Sequence, residues 1–335
     1  MKIGLDCGPI SGLLKMGDDP LGLLDLAIEY GFEGVLLSNR PLREDEALRR
    51  QVIDKARAND MYIELGGSGI DSALSGKSTG ELVESWKPLF PLAAEVGSPV
   101  LVTGLGTWPW EGRVIQEAGR TLADQIEGGI ATLRALRPMA EEWGVTIAIH
   151  TSFNTADEYV RIMEAVDSPH IGLCLDTANA FLVLEDPVDF ARQVMPYVHA
   201  THFKDSIIHL QEEGIRWLGG SLLGRGTVDL PAIAEMLYQA NPDCNLTVED
   251  ARAHRGIRPM YAPAFLDTLS GWDGERLSKI LRHLWRGQML VQSGVQLAGP
   301  EAETIDWEKV LPERQCWNAA YAKQLRDRLV AGDGG

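Results

Sequence analysis

The strongest constraint on the fold is a regular alternation: eight short apolar runs, each followed by a longer polar or helical segment, fill the first 250 residues. The runs are nearly continuous in Val, Ile and Leu, which is typical of strands buried on both faces of a parallel sheet. They are 2–7, 34–39, 62–65, 99–104, 145–150, 171–176, 198–204 and 245–250. Eight such units in about 250 residues predict an α/β protein with a closed (β/α)8 TIM barrel.

An open, doubly wound sheet is the alternative architecture for the same alternation. Such sheets usually carry a glycine-rich turn of the form G-x-G-x-x-G after the first strand. The corresponding turn here reads DCGPISG (6–12), which lacks that spacing. The sequence therefore favours the closed barrel.

The length of 335 residues fits one barrel with a C-terminal addition. We predict a barrel over residues 1–290, with the helical run ERLSKILRHLWRGQML (275–290) as a candidate for its eighth helix. Residues 291–335 are predicted to be a mainly helical extension packed on the barrel, because they are too few for a core of their own. The last residues, AGDGG, should be flexible. The extension and nine tryptophans leave room for a homo-oligomer or an accessory subunit.

Charge and composition exclude several classes of partner. The chain has 31 basic and 48 acidic residues and a net charge of −17, whereas nucleic acid binding depends on Lys and Arg, so we expect no nucleic acid partner. No apolar run reaches the roughly 18 residues of a membrane helix, and the N-terminal residues lack the apolar core of a signal peptide. No two cysteines are spaced as C-x-x-C, so we expect reduced thiols and a cytoplasmic protein.

Four consecutive strands end in side chains that can bind a cation: His150, Asp176, His202 and Glu249. The first three follow one another at intervals of 26 residues, one βα unit, so they should lie at one level of the rim where barrels carry their functional groups. Two imidazoles and two carboxylates meeting at one point predict a divalent transition-metal site. Taken singly, each has an ordinary structural alternative as a hydrogen-bonded rim residue, a helix cap or half of a salt bridge.

The runs GVTIAIH, IGLCLDTAN, HATHFKD, GRGTVDLPAI and LTVED resemble the sugar phosphate isomerase/epimerase superfamily of xylose isomerase-like TIM barrels. This resemblance implies a divalent metal held by Asp176, His202 and Glu249; we expect Mn²⁺, with Co²⁺, Zn²⁺ or Mg²⁺ as alternatives. His150 departs from the family, which normally has a metal-binding Glu there, and it suits Zn²⁺, Mn²⁺ or Co²⁺ better than Mg²⁺. Asn179 is a second departure, since some relatives carry His at that position.

A divalent ion can polarise the carbonyl of a hydroxy-ketone and stabilise the enediolate formed on deprotonation. We expect Glu249 to act as a base or a ligand, His150 as a ligand or the alternative base, and Lys204 to hold a substrate oxygen. Candidate contacts for a carbohydrate-like small molecule lie at strand ends and in the following loops: Asp6, Glu64, Trp108, Asn179, Arg216, Arg225 and Arg252. The glycine-punctuated stretch 205–229 is predicted to be a lid loop in which Trp217 is a further candidate contact.

The leading functional hypothesis is a metal-dependent isomerase or epimerase of a sugar, keto-sugar or polyol derivative, acting through an enediolate. The alternative is a lyase on the same scaffold: a dehydratase, a decarboxylase or an enzyme that cleaves 3-keto-glycosides or C-glycosides. The missing Glu and the C-terminal extension favour something other than plain epimerisation. A barrel that binds a sugar or a partner subunit without catalysis is the third possibility, and DNA repair is disfavoured by the acidic charge.

Overall fold

The computed structural model describes residues 1–106, 121–212, 214–250, 253–258, 272–297 and 305–332. Eight parallel strands form a barrel in the sheet order β10-β1-β2-β3-β4-β5-β6-β7, and a bridge from Phe203 to Val248 joins its two edges. The predicted (β/α)8 barrel is therefore confirmed. Its strands are β1 (Ile3–Asp6), β2 (Gly34–Leu37), β3 (Tyr62–Gly66), β4 (Val100–Gly104), β5 (Thr146–His150), β6 (Ile171–Asp176), β7 (Val198–His202) and β10 (Leu246–Val248).

Helices follow the strands, and their starts carry side-chain caps that are legible in the sequence. Asp19 caps the helix that begins with Pro20, and Thr155 forms a capping box with Glu158. Gly144 ends the longest helix of the barrel layer with a φ of 62°, a left-handed conformation that glycine adopts without strain. The helices are α1 (Cys7–Leu14), α2 (Pro20–Glu29), α3 (Asn39–Glu44), α4 (Glu46–Ala58), α5 (Ser72–Ser75), α6 (Thr79–Trp86), α7 (Leu89–Val96), α8 (Leu122–Trp143), α9 (Ala156–Val166), α10 (Pro187–Val194), α11 (Leu230–Ala240), α12 (Gly274–Gln292) and α13 (Trp307–Gly332).

The described residues form two apolar cores, and the smaller one shows which side chains point into the barrel. The larger one lies between the outer faces of the strands and the helices, whereas a small one fills the barrel interior. Ala148, Cys174 and Ala200 belong to the interior core. Side chains two residues apart along a strand share a face, so the residues that end β5, β6 and β7 also point inward, at the mouth of the barrel.

Strands occupy 205–211 and 214–221 of the stretch 205–229, so this part is not the loop that the sequence predicted, whereas its role as a lid stays a prediction. β8 (Asp205–Gln211) and β9 (Gly214–Ser221) make an antiparallel hairpin, and β11 (Ala253–Arg258) adds a third strand beside β9. The Asp205 carboxylate accepts hydrogen bonds from the backbone N–H groups of Gly224, Gly226 and Val228 at 2.9–3.2 Å. The buried Asp205 carboxylate thus connects the start of β8 to the segment that follows β9.

The two C-terminal helices take different positions on the barrel. α12, which we expected to be a candidate for the eighth barrel helix, packs on the hairpin strand β8, where Gly287 lies against the backbone of Ile208. α13 lies instead against β1, β10, α1 and α11, in the place of an eighth helix. It continues to Gly332, so the first two residues of the tail AGDGG are helical. None of the described helices combines the length and apolar character needed to cross a lipid bilayer.

Candidate metal centre

The four strand-end residues converge at the mouth of the barrel. His150, Asp176 and His202 are the last residues of β5, β6 and β7, and Glu249 directly follows β10. Each offers one potential ligand atom, and these four atoms all lie within 4.8 Å of one another. Strand parity and equal rim height, both set by the sequence, account for this convergence.

The cluster contains polar atoms that the protein leaves without hydrogen bonds. His150 Nε2 lies 3.1 Å from Asp176 Oδ2, and His202 Nδ1 lies 3.1 Å from Glu249 Oε2. The second contact lacks hydrogen-bond geometry, and both His202 ring nitrogens are buried without a hydrogen-bond partner in the described protein. Such atoms are costly unless something satisfies them, and a cation coordinated by carboxylate and imidazole would do so. The donor set therefore fits a divalent metal.

Lys204 projects its ammonium into the same cluster. Nζ lies 2.9 Å from Asp176 Oδ2 and 2.8 Å from Glu249 Oε2, and the side chain is only 3% exposed. Its backbone is fixed by Thr177, whose hydroxyl accepts from the Lys204 N–H at 2.8 Å and donates to its carbonyl at 2.6 Å. The indole ring of Trp217 lies over the ammonium at 5.6 Å, as a cation–π contact.

Electrostatics keep this lysine and Glu249 ionised despite their burial. Burial tends to raise the pKa of Glu249, but the Lys204 ammonium and His202 outweigh it and hold that pKa well below its usual range. Burial tends to lower the pKa of Lys204, but Asp176 and Glu249 outweigh it and raise that pKa. Burial raises the pKa of Asp6, whose carboxylate lies 3.9 Å from His202 Nε2.

Local hydrogen bonds orient the residues of the cluster, and sequence reasoning missed two of the side chains that make them, Ser152 and Thr177. Asp176 Oδ1 accepts from the backbone N–H groups of Ala178 and Asn179 at 2.8 and 3.0 Å, which leaves Oδ2 to face the cluster. Ser152 Oγ lies 3.2 Å from His150 Nδ1, so it can hold the ring with Nε2 turned inward. Ser152 and Thr177 follow His150 and Asp176 within two residues. A hydroxyl so close in sequence to each ligand candidate was the signal that could have identified them.

The predicted substrate contacts divide into those the fold brings to the cluster and those it does not. Asn179 reaches it, with Nδ2 3.3 Å from His150 Nε2, and Asp6 borders it next to His202. Glu64 does not, because β3 continues to Gly66 and places Glu64 below the mouth. Its carboxylate accepts from Thr247 Oγ1 at 2.8 Å across the barrel interior.

Two of the predicted arginine contacts, Arg216 and Arg225, also lie away from the cluster. Arg216 and Trp217 are neighbours on β9, so they face opposite sides of the hairpin, and it is Trp217 that faces Lys204. The exposed guanidinium of Arg225 stacks on the Trp317 ring of α13 at 5.0 Å. Trp108 and Arg252 lie outside the described residues.

A comparison with protein families agrees with the fold and the arrangement of the site. The model of the xylose isomerase-like TIM barrel family matches residues 24–267. The chain belongs to this family. The matched range covers most of the barrel and includes all four residues of the cluster. It also includes the strand-end runs whose resemblance to this family is visible in the sequence.

Individual members of the family show what this barrel is similar to. A 3-oxo-isoapionate decarboxylase from Pectobacterium atrosepticum is 30% identical over 126 residues, which cover 36% of this chain and 44% of that protein, less than half of its length. D-Psicose 3-epimerase from Clostridium cellulolyticum H10, solved with D-tagatose, has a TM-score of 0.58 and 17% identity over 84% of this chain and 95% of its own. A xylose isomerase-like TIM barrel protein from Mycobacterium smegmatis, solved in complex with magnesium, has a TM-score of 0.57 and 15% identity over 84% of this chain and 97% of its own.

Proposed function

We propose that this protein is a divalent-metal-dependent isomerase or epimerase of a sugar, keto-sugar or polyol derivative, acting through an enediolate. The observation that carries the proposal is the convergence of His150, Asp176, His202 and Glu249 on one point, where the buried ring nitrogens of His202 have no hydrogen-bond partner among the described residues. A bound divalent ion would polarise a substrate carbonyl and stabilise the negative charge that develops on deprotonation. Membership of a family whose similar members include an epimerase supports the same reaction class.

The four side chains of the cluster would hold the ion, and their types bear on its identity. Two imidazoles and two carboxylates suit Mn²⁺, Co²⁺ or Zn²⁺ better than Mg²⁺, which prefers oxygen ligands. We propose Mn²⁺ as the working metal. Metal coordination requires deprotonated carboxylates and neutral imidazoles, so two carboxylate ligands, Asp176 and Glu249, would balance the charge of a divalent ion.

Other residues of the site have roles that follow from their position. Lys204 is buried and ionised beside Glu249, so its ammonium can donate to a substrate oxygen on which charge develops. Glu249 is the carboxylate best placed to move a proton. The side chain of His150 is the most exposed of the cluster at 22%, so it can act as the base if it is not a ligand. Asn179 and Trp217 border the cluster and can contact the substrate.

A decarboxylase is the second candidate, and one observation favours it specifically. The resemblance of the strand-end runs implies a Glu where this chain has His150, so the cluster lacks the second Glu with which such an epimerase would take a proton from one face of a substrate and return it to the other. Loss of carbon dioxide from a β-keto acid needs the same stabilised enolate but only one protonation. The 30% identity to a decarboxylase supports this reading.

One experiment tests the metal and the enolate chemistry without knowledge of the substrate. Metal content of the purified protein is measured first, for wild type and for Asp176→Asn, which keeps the side-chain shape. The Mn²⁺-loaded proteins are then incubated in deuterium oxide with a panel of keto-sugars and of β-keto acids. We expect stoichiometric metal and either deuterium incorporation at a carbon next to a carbonyl or release of carbon dioxide, all lost in Asp176→Asn. Activity that persists in Asp176→Asn without bound metal would contradict the proposal.

We also propose a cytoplasmic location and contacts with a second copy or an accessory subunit. Light scattering of the purified chain tests the first kind of contact. A mass equal to the 36.7 kDa of one chain over a wide range of concentrations would exclude a stable homo-oligomer.

A further inference from the structure

Asp250, the residue after Glu249, is held entirely by the C-terminal helix among the described residues. It is 2% exposed, and its carboxylate accepts from three side chains of α13. Arg314 donates from Nε at 3.0 Å and from Nη2 at 2.7 Å, Gln315 Nε2 at 2.9 Å and Asn318 Nδ2 at 3.1 Å. Four hydrogen bonds on one buried carboxylate fix its position much more firmly than a single ion pair would.

The same part of α13 also holds the segment that follows the hairpin. Arg314 Nη2 donates to the Gly220 carbonyl at 2.6 Å, and Asn318 Oδ1 accepts from the Leu223 N–H at 3.1 Å. Trp317 Nε1 donates to the Leu223 carbonyl at 3.0 Å. This segment leads directly into the backbone groups that bind the Asp205 carboxylate. Residues 314–318 of α13 thus connect Asp250, which follows Glu249, to the segment 220–223. That segment is in turn connected to Asp205, the neighbour of Lys204.

The Glu249 side chain is held by other members of the cluster: its Oε2 lies 2.8 Å from Lys204 Nζ and 3.1 Å from His202 Nδ1. Its backbone N–H donates to the Phe203 carbonyl at a long 3.3 Å, so the backbone of Glu249 is held less tightly than the neighbouring Asp250. Carboxylate position in a metal site is set to within a fraction of an ångström by the groups behind it. The residue next to Glu249 whose side chain is firmly held is Asp250.

We propose that Asp250 is a positioning residue for the metal centre, through which α13 sets the position of Glu249. The C-terminal helix α13 then contributes to metal affinity, and the barrel without it would bind the metal weakly. This inference rests on the proposed metal-dependent function. Asp250 itself faces α13 and touches neither metal nor substrate.

The test compares full-length wild type, Asp250→Asn and a control on the same helix, Arg326→Gln. Arg326 donates to Glu33 Oε2 at 2.7 Å, so the control also breaks an ion pair of α13, but away from the cluster. Mn²⁺ is titrated into each metal-free protein by calorimetry, and the Tm of each metal-free protein is recorded. We expect Mn²⁺ affinity to fall about 10–100-fold in Asp250→Asn, the range for groups that support metal ligands, and to stay within about twofold in Arg326→Gln.

The outcomes separate this inference from the proposed function. If wild type binds no Mn²⁺, Co²⁺ or Zn²⁺, the metal-dependent function fails. If wild type binds and Asp250→Asn binds equally well with a lowered Tm, Asp250 is merely structural and the inference is overturned. Should Asp250→Asn not fold, Asn318→Ala replaces it, since it removes one bond to Asp250 and the bond to Leu223. Weaker Mn²⁺ binding by that variant supports the inference, and unchanged binding overturns it.

Discussion

Replacing Lys204 by methionine shows how much the buried ammonium contributes to the metal-free protein. Its Nζ lies 2.9 Å from Asp176 Oδ2 and 2.8 Å from Glu249 Oε2. Methionine has a similar length but no charge, so Lys204→Met leaves two buried carboxylates without that cation. Removal of one partner from a buried ion pair costs about 3–5 kcal/mol. With an unfolding entropy of about 2.1 cal/mol/K per residue, the Tm of a 335-residue chain should fall by roughly 4–7 °C.

Thermal unfolding with and without Mn²⁺ is the assay. A bound divalent ion supplies the missing positive charge, so Mn²⁺ should raise the Tm more in Lys204→Met than in wild type. Lys279→Met is the matched control, because Lys279 also lies between two carboxylates, Asp189 at 2.5 Å and Glu275 at 2.8 Å, but at the surface. Surface ion pairs contribute about 0–1 kcal/mol, so its Tm should change little. An unchanged Tm of metal-free Lys204→Met, or equal Mn²⁺ increments in variant and wild type, would refute this reasoning.

Three further changes test other parts of the barrel. Burial raises the pKa of Glu64 to about 7 from 4.5. Between these pH values the folded protein keeps a proton that the unfolded chain has released. The free energy of unfolding therefore falls by on the order of 3 kcal/mol as the pH rises through this range. Glu64→Gln should flatten this decline in urea unfolding at pH 5 and pH 8, and equal declines would contradict it. His150→Glu adds a third carboxylate and should raise Mg²⁺ affinity relative to Zn²⁺ in a competition titration; an unchanged ratio speaks against His150 as a ligand. Asp205→Asn places an amide among backbone N–H groups and should lower the free energy of unfolding by about 2–3 kcal/mol in urea, with an unchanged midpoint as the contrary result.

The replacement of the family's usual Glu by His150 has a consequence for charge at the site. With two carboxylates, two neutral imidazoles and one ammonium, a divalent ion would leave the cluster with a net charge of about +1. A third carboxylate would cancel it. An excess positive charge stabilises an anionic, enolate-like transition state, whether it arises by deprotonation or by loss of carbon dioxide from a substrate carboxylate. A histidine at this position is therefore compatible with both candidate reactions.

The residues of the rim show which kinds of prediction a sequence supports. His150, Asp176 and His202 were placed correctly because each ends an apolar strand, and strand parity needs no knowledge of distant contacts. Glu64 was misplaced because its strand extends to Gly66, a boundary error of one residue that moves a side chain from the rim to the interior. Arg216 and Trp217 differ by one position, and the pairing of the hairpin decides which of them faces Lys204.

The alternation of strands and helices, and with it the ring of four ligand candidates, was determined by the sequence alone, because both follow from periodicities of a few residues. The tertiary structure decided that 205–221 is a hairpin, that Lys204 lies between two carboxylates, and that α13 holds Asp250. These features join residues that are far apart in the chain, such as Asp250 and Asn318, and their energy comes from burial and hydrogen bonds that no local pattern encodes.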